Sequence, residues 1–266
     1  MRLDDVRGFV FDADGTLVHR APDHVEAIPG AIEVLERIRD SGRPYAVFTN
    51  GSHLAPSAFA AEFRAAGLPI ADDQVLTPLC SVQTYLERHG EAALLGFLTD
   101  AARAYLESEG VRVVENGDRA DVVFVAHPDG IDFDALERAA RAVLAGAPLL
   151  TGSYVPVYAG ASGPVFSHGA MVTAAIAKAT GVSPVVVGKP SRPAVLEMER
   201  RLGVASRDLL VAGDDVALEI PLGHLGGSTT VLVRSGISGA VDVGSLPADQ
   251  RPHATIDTVA EMLEWL

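Results

Sequence analysis

The sequence predicts an α/β protein in which a doubly wound, Rossmann-like parallel sheet is interrupted by a smaller α/β domain. Short apolar runs at 6–11, 43–49, 184–187, 208–212 and 229–233 each stop at polar residues. Segments with helical spacing separate the runs, the alternation that a parallel strand–helix–strand sheet requires. From about 78 to 182 a second set of strands and helices intervenes. The expected division is therefore 1–77 and 183–266 for the large sheet and 78–182 for the insertion.

The first strand, at 6–11, is apolar through Val6, Phe9, Val10 and Phe11, then meets Asp12, Ala13, Asp14, Gly15 and Thr16. A buried strand that ends on two carboxylates two residues apart puts polar chemistry at its C-terminal end, where open parallel sheets bind ligands. A strand-ending turn is the plain alternative. A calcium loop fails because apolar Leu17 and Val18 stand where oxygen ligands belong. Ile32, Leu35 and Ile38 then mark a crossover helix that ends at Gly42, so the strand at 43–49 runs parallel to the first and delivers Thr49 and Asn50 to the same edge. Asn50-Gly51 is a hairpin signal, but Phe59, Phe63 and Ala66 follow at helical spacing, so a strand-to-helix loop suited to holding an anion is expected.

In the insertion, 93–98 and 121–125 read as strands and 101–110 and 133–146 as helices, followed by a long Gly-, Pro- and aromatic-rich loop at 154–169 and a helix at 170–181. The alternation resumes with a strand at 184–187 before Gly188-Lys189-Pro190, a helix at 192–202, a strand at 208–212 before Gly213-Asp214-Asp215, a strand at 229–233 and a terminal helix at 259–266. Four strand ends thus offer Asp12 and Asp14, Thr49 and Asn50, Lys189, and Asp214 and Asp215. Singly these read as a helix cap, a surface charge or a turn; together and in this order they read as one site.

Composition narrows the function. The 266 residues are 48% hydrophobic and 21% charged with net charge -14, an ordinary globular balance that argues against a general nucleic-acid or anionic-membrane surface. No run is long enough to span a bilayer, acidic residues follow the N-terminus at once, and Cys80 stands alone, so a cytoplasmic chain without disulfides is expected. His19, His24, His53 and His127 lack metal-ligand spacing and read as surface or loop residues.

The four ordered motifs resemble those of the haloacid dehalogenase-like (HAD) phosphatases, in the class IIA, NagD-like branch that carries a cap domain between its second and third motifs. Ile28-Pro29-Gly30-Ala31, Gly146-Ala147-Pro148 and Gly188-Lys189-Pro190-Ser191 extend the resemblance over essentially the whole chain. It implies a HAD fold and a phosphomonoesterase with Asp12 as nucleophile and Asp14 as general acid and base. Thr49, Asn50, Gly51 and Lys189 would hold the transferring phosphoryl group. Mg²⁺ would be held by Asp12, Asp214 and the Asp14 carbonyl, a requirement that the clustered carboxylates share. Where the branch has a further Asp, this chain has Glu219, and Asp215 or Glu219 would act on the metal through water.

The resemblance also implies a small phosphorylated metabolite of nucleotide, sugar phosphate or phosphoglycolate type, no nucleic-acid or membrane partner, and caps that can pair into a homodimer. Tyr154, Tyr158 and His168, in the segment where the family pattern is not kept, are the candidate substrate contacts, with Phe166 beside them. The competing readings are a phosphotransferase or mutase sharing the aspartyl-phosphate, a dehalogenase, and a metabolite-binding or regulatory protein on the same fold. Asp14 and Asp214, which a dehalogenase does not need, count against the second, and the intact motifs against the third.

Overall fold

The computed structural model describes residues 3–21, 24–90, 92–114, 119–160 and 163–266. The chain begins with β1 (Gly8–Phe11), a hairpin of β2 (Val18–Arg20) and β3 (Val25–Ala27), α1 (Ala31–Asp40), β4 (Tyr45–Phe48), α2 (Pro56–Ala65) and β5 (Val75–Leu76). Next come α3 (Pro78–Glu87), β6 (Leu94–Phe97), α4 (Asp100–Ser108), β7 (Val113–Val114), β8 (Val122–Val125), α5 (Phe133–Leu144) and β9 (Leu149–Thr151). A hairpin of β10 (Val157–Gly160) and β11 (Gly163–Phe166) leads to α6 (His168–Thr180) and β12 (Val185–Val186). The chain closes with α7 (Arg192–Leu202), β13 (Leu209–Gly213), α8 (Glu219–Gly226), β14 (Thr229–Val233) and β15 (Ala254–Ile256).

Two compact units result, one of Met1–Thr49, Pro56–Leu76 and Lys189–Leu266, the other of Asn50–Ala55 and Thr77–Gly188. The first is built on a six-stranded sheet in the order β15-β14-β13-β1-β4-β5, parallel throughout. Strand order runs outward from β1 in both directions, so β1 lies at the topological switch point where such sheets bind ligands. Val10, Ala46, Phe48, Leu76, Leu209 and Val211 pack on one face against Ala194, Val195 and Met198 of α7 and Leu222 of α8. Each fully buried Val, Leu, Phe or Met side chain among them contributes about 1.5–3 kcal/mol. Ser191 starts α7 by accepting a hydrogen bond from the Ala194 amide at 3.1 Å, with Pro193 in the first turn.

The second unit holds a five-stranded sheet, β12-β9-β8-β6-β7, also parallel. α3 and α4 cover one face through Leu79, Val82, Leu86, Ala102 and Leu106. Ala139 and Val143 of α5 and Val172 and Ile176 of α6 cover the other. Thr77, Thr99, Asp132 and Ser167 cap the four helices with their side chains.

Four local expectations need correction. The stretch at 184–187 pairs with β9 in the smaller sheet, Val185 opposite Leu150, so the chain returns to the first unit at Lys189. A two-residue strand takes whichever sheet edge its neighbours offer, which its own composition does not reveal. The expected loop at 154–169 contains the β10–β11 hairpin, whose Val157, Tyr158, Val165 and Phe166 supply β-forming residues. α6 begins at His168 because Ser167 caps it. The terminal helix is a single stretch of 3₁₀ turns, Val259–Glu264, too short to nucleate an α-helix.

Candidate active site

β1 ends at Phe11, and the Asp12 amide donates to the Ala212 carbonyl of neighbouring β13 at 2.9 Å. This bond fixes the Asp12 backbone between the ends of β13 and β4. Lys189 Nζ lies 2.5 Å from Asp12 Oδ1 and 2.7 Å from Glu219 Oε1. Lys189 and Glu219 are 2% and 1% exposed, so Lys189 is no surface charge. Burial disfavours its ammonium, but Asp12 and then Glu219 outweigh that cost and raise its pKa. Glu219 is pushed up by burial, against the pull of Lys189 and with the repulsion of Asp12 and Asp214. The second Glu219 oxygen accepts from the Asp215 amide at 3.1 Å, so this carboxylate anchors Lys189 and the Gly213-Asp214-Asp215 turn together.

Asp214 and its neighbour Asp215 turn their carboxylates to different partners. Asp215 Oδ1 accepts from the Ala217 amide at 2.7 Å, which is turn chemistry. Asp214 is buried and points elsewhere: its Oδ2 accepts from the Ile237 amide at 2.7 Å. Burial, followed by the charge of Asp12, raises Asp214 to about 7. Gly15, at φ +80°, and Gly236 flank it so closely that a Cβ on either would fall 2.4 or 1.9 Å from Asp214 Oδ2. Ser235 Oγ donates to the Gly15 carbonyl at 2.7 Å, and the Ser238 amide to the Asp214 carbonyl at 3.1 Å. The loop at 234–239 is therefore part of the site, and only its Ser-Gly-Ile-Ser-Gly composition after a strand hinted at it.

Asp14 sits on a tight turn in which the Ala13 carbonyl accepts from the amides of Leu17 and Val18, each at 2.9 Å. Arg20 Nε lies 2.8 Å from Asp14 Oδ1, an ion pair off the line of a hydrogen bond. Burial raises the Asp14 pKa, and Arg20 works against it. Thr49 is buried at the end of β4, its amide donating to the Leu76 carbonyl at 3.1 Å. It precedes α2 by seven residues, so it does not cap that helix.

Asn50 and Gly51 belong to the second unit, as do Tyr154, Tyr158 and His168. Both tyrosines are 42% exposed. The His168 ring lies 6.0 Å from that of His127, which lies 5.5 Å from His53, a row of histidines that their sequence separation concealed. Burial and then His168 lower the His127 pKa.

Among the described residues no three His, Cys, Asp or Glu side chains converge as a metal cage. The donor set still suits a hard cation that keeps water, because the charge of Asp12 raises the cost of ionising Asp214 and both side chains offer only oxygen. No helix among the described residues is long and apolar enough to cross a membrane.

Residues 9–112 match the Haloacid dehalogenase-like hydrolase family, and residues 186–262 match a HAD-hydrolase-like family. The ribonucleotide monophosphatase NagD of Escherichia coli is 28% identical over 97% of this chain and 98% of its own length. The 5'-nucleotidase YutF of Bacillus subtilis is 25% identical over 98% of each. The solved structure of NagD from E. coli K-12 superposes with a TM-score of 0.86 at 26% identity, covering 96% of this chain and 98% of that one. A 4-nitrophenylphosphatase from Thermotoga maritima, at 23% identity and 98% coverage of both chains, shares the fold with a TM-score of 0.88. With haloacid dehalogenase-like hydrolase models matching both ends of the chain and likeness to NagD along its whole length, the protein is similar throughout to the haloacid dehalogenase-like hydrolases of the NagD-like branch.

Proposed function

We propose that this chain is a Mg²⁺-dependent phosphatase of small phosphomonoesters that works through an aspartyl-phosphate on Asp12. The observation that carries this reading is Asp12 at the end of the central strand, ion-paired with a buried lysine that Glu219 holds in turn. A carboxylate so fixed is pre-aimed for in-line attack, and Lys189 supplies positive charge where the phosphoryl oxygens would develop negative charge.

An Asp12 carboxylate oxygen attacks phosphorus while the bond to the ester oxygen breaks, and Asp14 gives its proton to the departing alkoxide. Water then attacks the phosphorus of the aspartyl-phosphate, its proton returns to Asp14, and the P–O bond to Asp12 breaks to release phosphate. Thr49, with the amides of Asn50 and Gly51, orients the transferring group. Asp12 and Asp214, with the Asp14 carbonyl, would hold Mg²⁺, which when bound offsets the charge of carboxylates and phosphate.

The NagD and YutF relatives are named for nucleotides, and a Corynebacterium glutamicum relative, 26% identical over 96% of this chain, is a dihydroxyacetone phosphatase. These names support nucleotides and short sugar phosphates as the first substrates to try. The test is phosphate release from a panel of such esters, with Mg²⁺ and with chelator, comparing the native chain with Asp12→Asn. Release that needs both the metal and Asp12 is expected; release that survives Asp12→Asn would overturn the mechanism.

A further inference from the structure

We propose that Arg20 is a positioning residue for the reaction, holding Asp14 by one oxygen so that the other faces the leaving group. The proposal rests on the reading of Asp14 as the general acid. The turn at 13–18 and the pairing of Arg20 with Val25 in the β2–β3 hairpin bring Arg20 back beside Asp14, six residues earlier.

The guanidinium is held from two further directions. Its Nη1 donates to Glu62 Oε2 at 3.0 Å, and its Cζ lies 6.0 Å from the centre of the Phe59 ring. Phe59 and Glu62 lie three residues apart on α2, hence on one helix face. Only a planar fork satisfies Asp14, Glu62 and the ring together; a lysine offers one point charge.

Asp14 needs such help. Its side chain is 47% exposed, no hydrogen bond fixes Oδ1, and an acid serves only within hydrogen-bond reach of the departing oxygen. With Oδ1 facing Arg20, Oδ2 is left to carry the proton that passes to the alkoxide as the P–O bond breaks. Neither the spacing of Arg20 nor its identity belongs to any of the four motifs.

The test compares an ester that needs the acid with one that does not. Wild type, Arg20→Met, Arg20→Lys and Glu62→Gln are assayed on glycerol phosphate, whose alkoxide must be protonated, and on p-nitrophenyl phosphate, whose phenolate leaves unaided. The quantity read is kcat/KM, which covers the step in which the leaving group departs. A general acid is worth about 10²- to 10⁴-fold, so Arg20→Met should lose about 10- to 100-fold on the alkyl ester and less than about threefold on the aryl ester. Arg20→Lys should restore only part of the difference, and Glu62→Gln should show a smaller loss with the same selectivity.

Equal loss on both esters, or no loss on either, would overturn the role of Arg20, and Arg20→Lys guards against a loss due to misfolding. Failure of the native chain to release phosphate from either ester would instead remove the phosphatase reading, before any variant is made.

Discussion

Two carboxylates two residues apart are each gripped by one cation, and each cation is gripped by a second carboxylate, yet the two networks differ in solvent. Asp12–Lys189–Glu219 is sealed, whereas Asp14–Arg20–Glu62 is a third to a half exposed. In a sealed network the charges are strongly coupled and expensive to separate; in an open one water screens them, and the pair fixes direction more than energy. The difference suits the two tasks proposed for Asp12 and Asp14, since a nucleophile must stay in line with phosphorus, while an acid–base residue must give up a proton and take one back.

The comparison breaks most visibly at Asp12. Asp12→Asn keeps the volume and removes the nucleophile, so turnover should fall by roughly four to six orders of magnitude while circular dichroism is unchanged. Lys189→Met leaves the buried Glu219 and the largely covered Asp12 without their cation, which should cost about 3–5 kcal/mol in urea unfolding; a cost below about 1 kcal/mol would mean that the network is not sealed.

A pH series without metal comes next in size. Burial and the charge of Asp12 push Asp214 up to about 7 in the folded chain from near 3.9 when unfolded, burial pushes Glu219 up to about 8, and Asp14 is raised as well. Between the unfolded and folded values the folded chain binds more protons, so stability should fall as pH rises from about 4 to 8. Lys189, raised from an already high value, contributes equally throughout that window. The melting temperature should drop by a few degrees across it, and Mg²⁺ should flatten the curve; a rise with pH would contradict the assignment. Smallest is Arg20→Met, which should change unfolding free energy by at most about 1 kcal/mol, as an exposed pair does, even where it alters catalysis.

What the sequence made legible follows the same divide. Asp12 follows an apolar strand directly, and Lys189 and Asp214 each follow a glycine that ends an apolar run, so periodicity and turn residues locate them. Arg20 owes its place to Glu62, 42 residues away, and Glu219 owes its to Lys189, 30 residues away; no local pattern encodes such pairs. The 234–239 loop gives little beyond its Ser- and Gly-rich composition, because its hold on Asp214 runs through the backbone amides of Ile237 and Ser238, and every sequence has such amides. The stretch at 184–187 misled because strand character is local, while the choice of sheet is made by distant partners.

The sealed lysine has a practical side. Only two lysines, Lys178 and Lys189, occur among the 21 Lys and Arg residues. Reagents that acylate amines need a neutral, accessible nitrogen, and Lys189 is buried and held as the ammonium, while Lys178 stands exposed in the last turn of α6. A dye or a surface linker aimed at side-chain amines would therefore attach through Lys178 alone and leave the buried Lys189 ammonium unmodified.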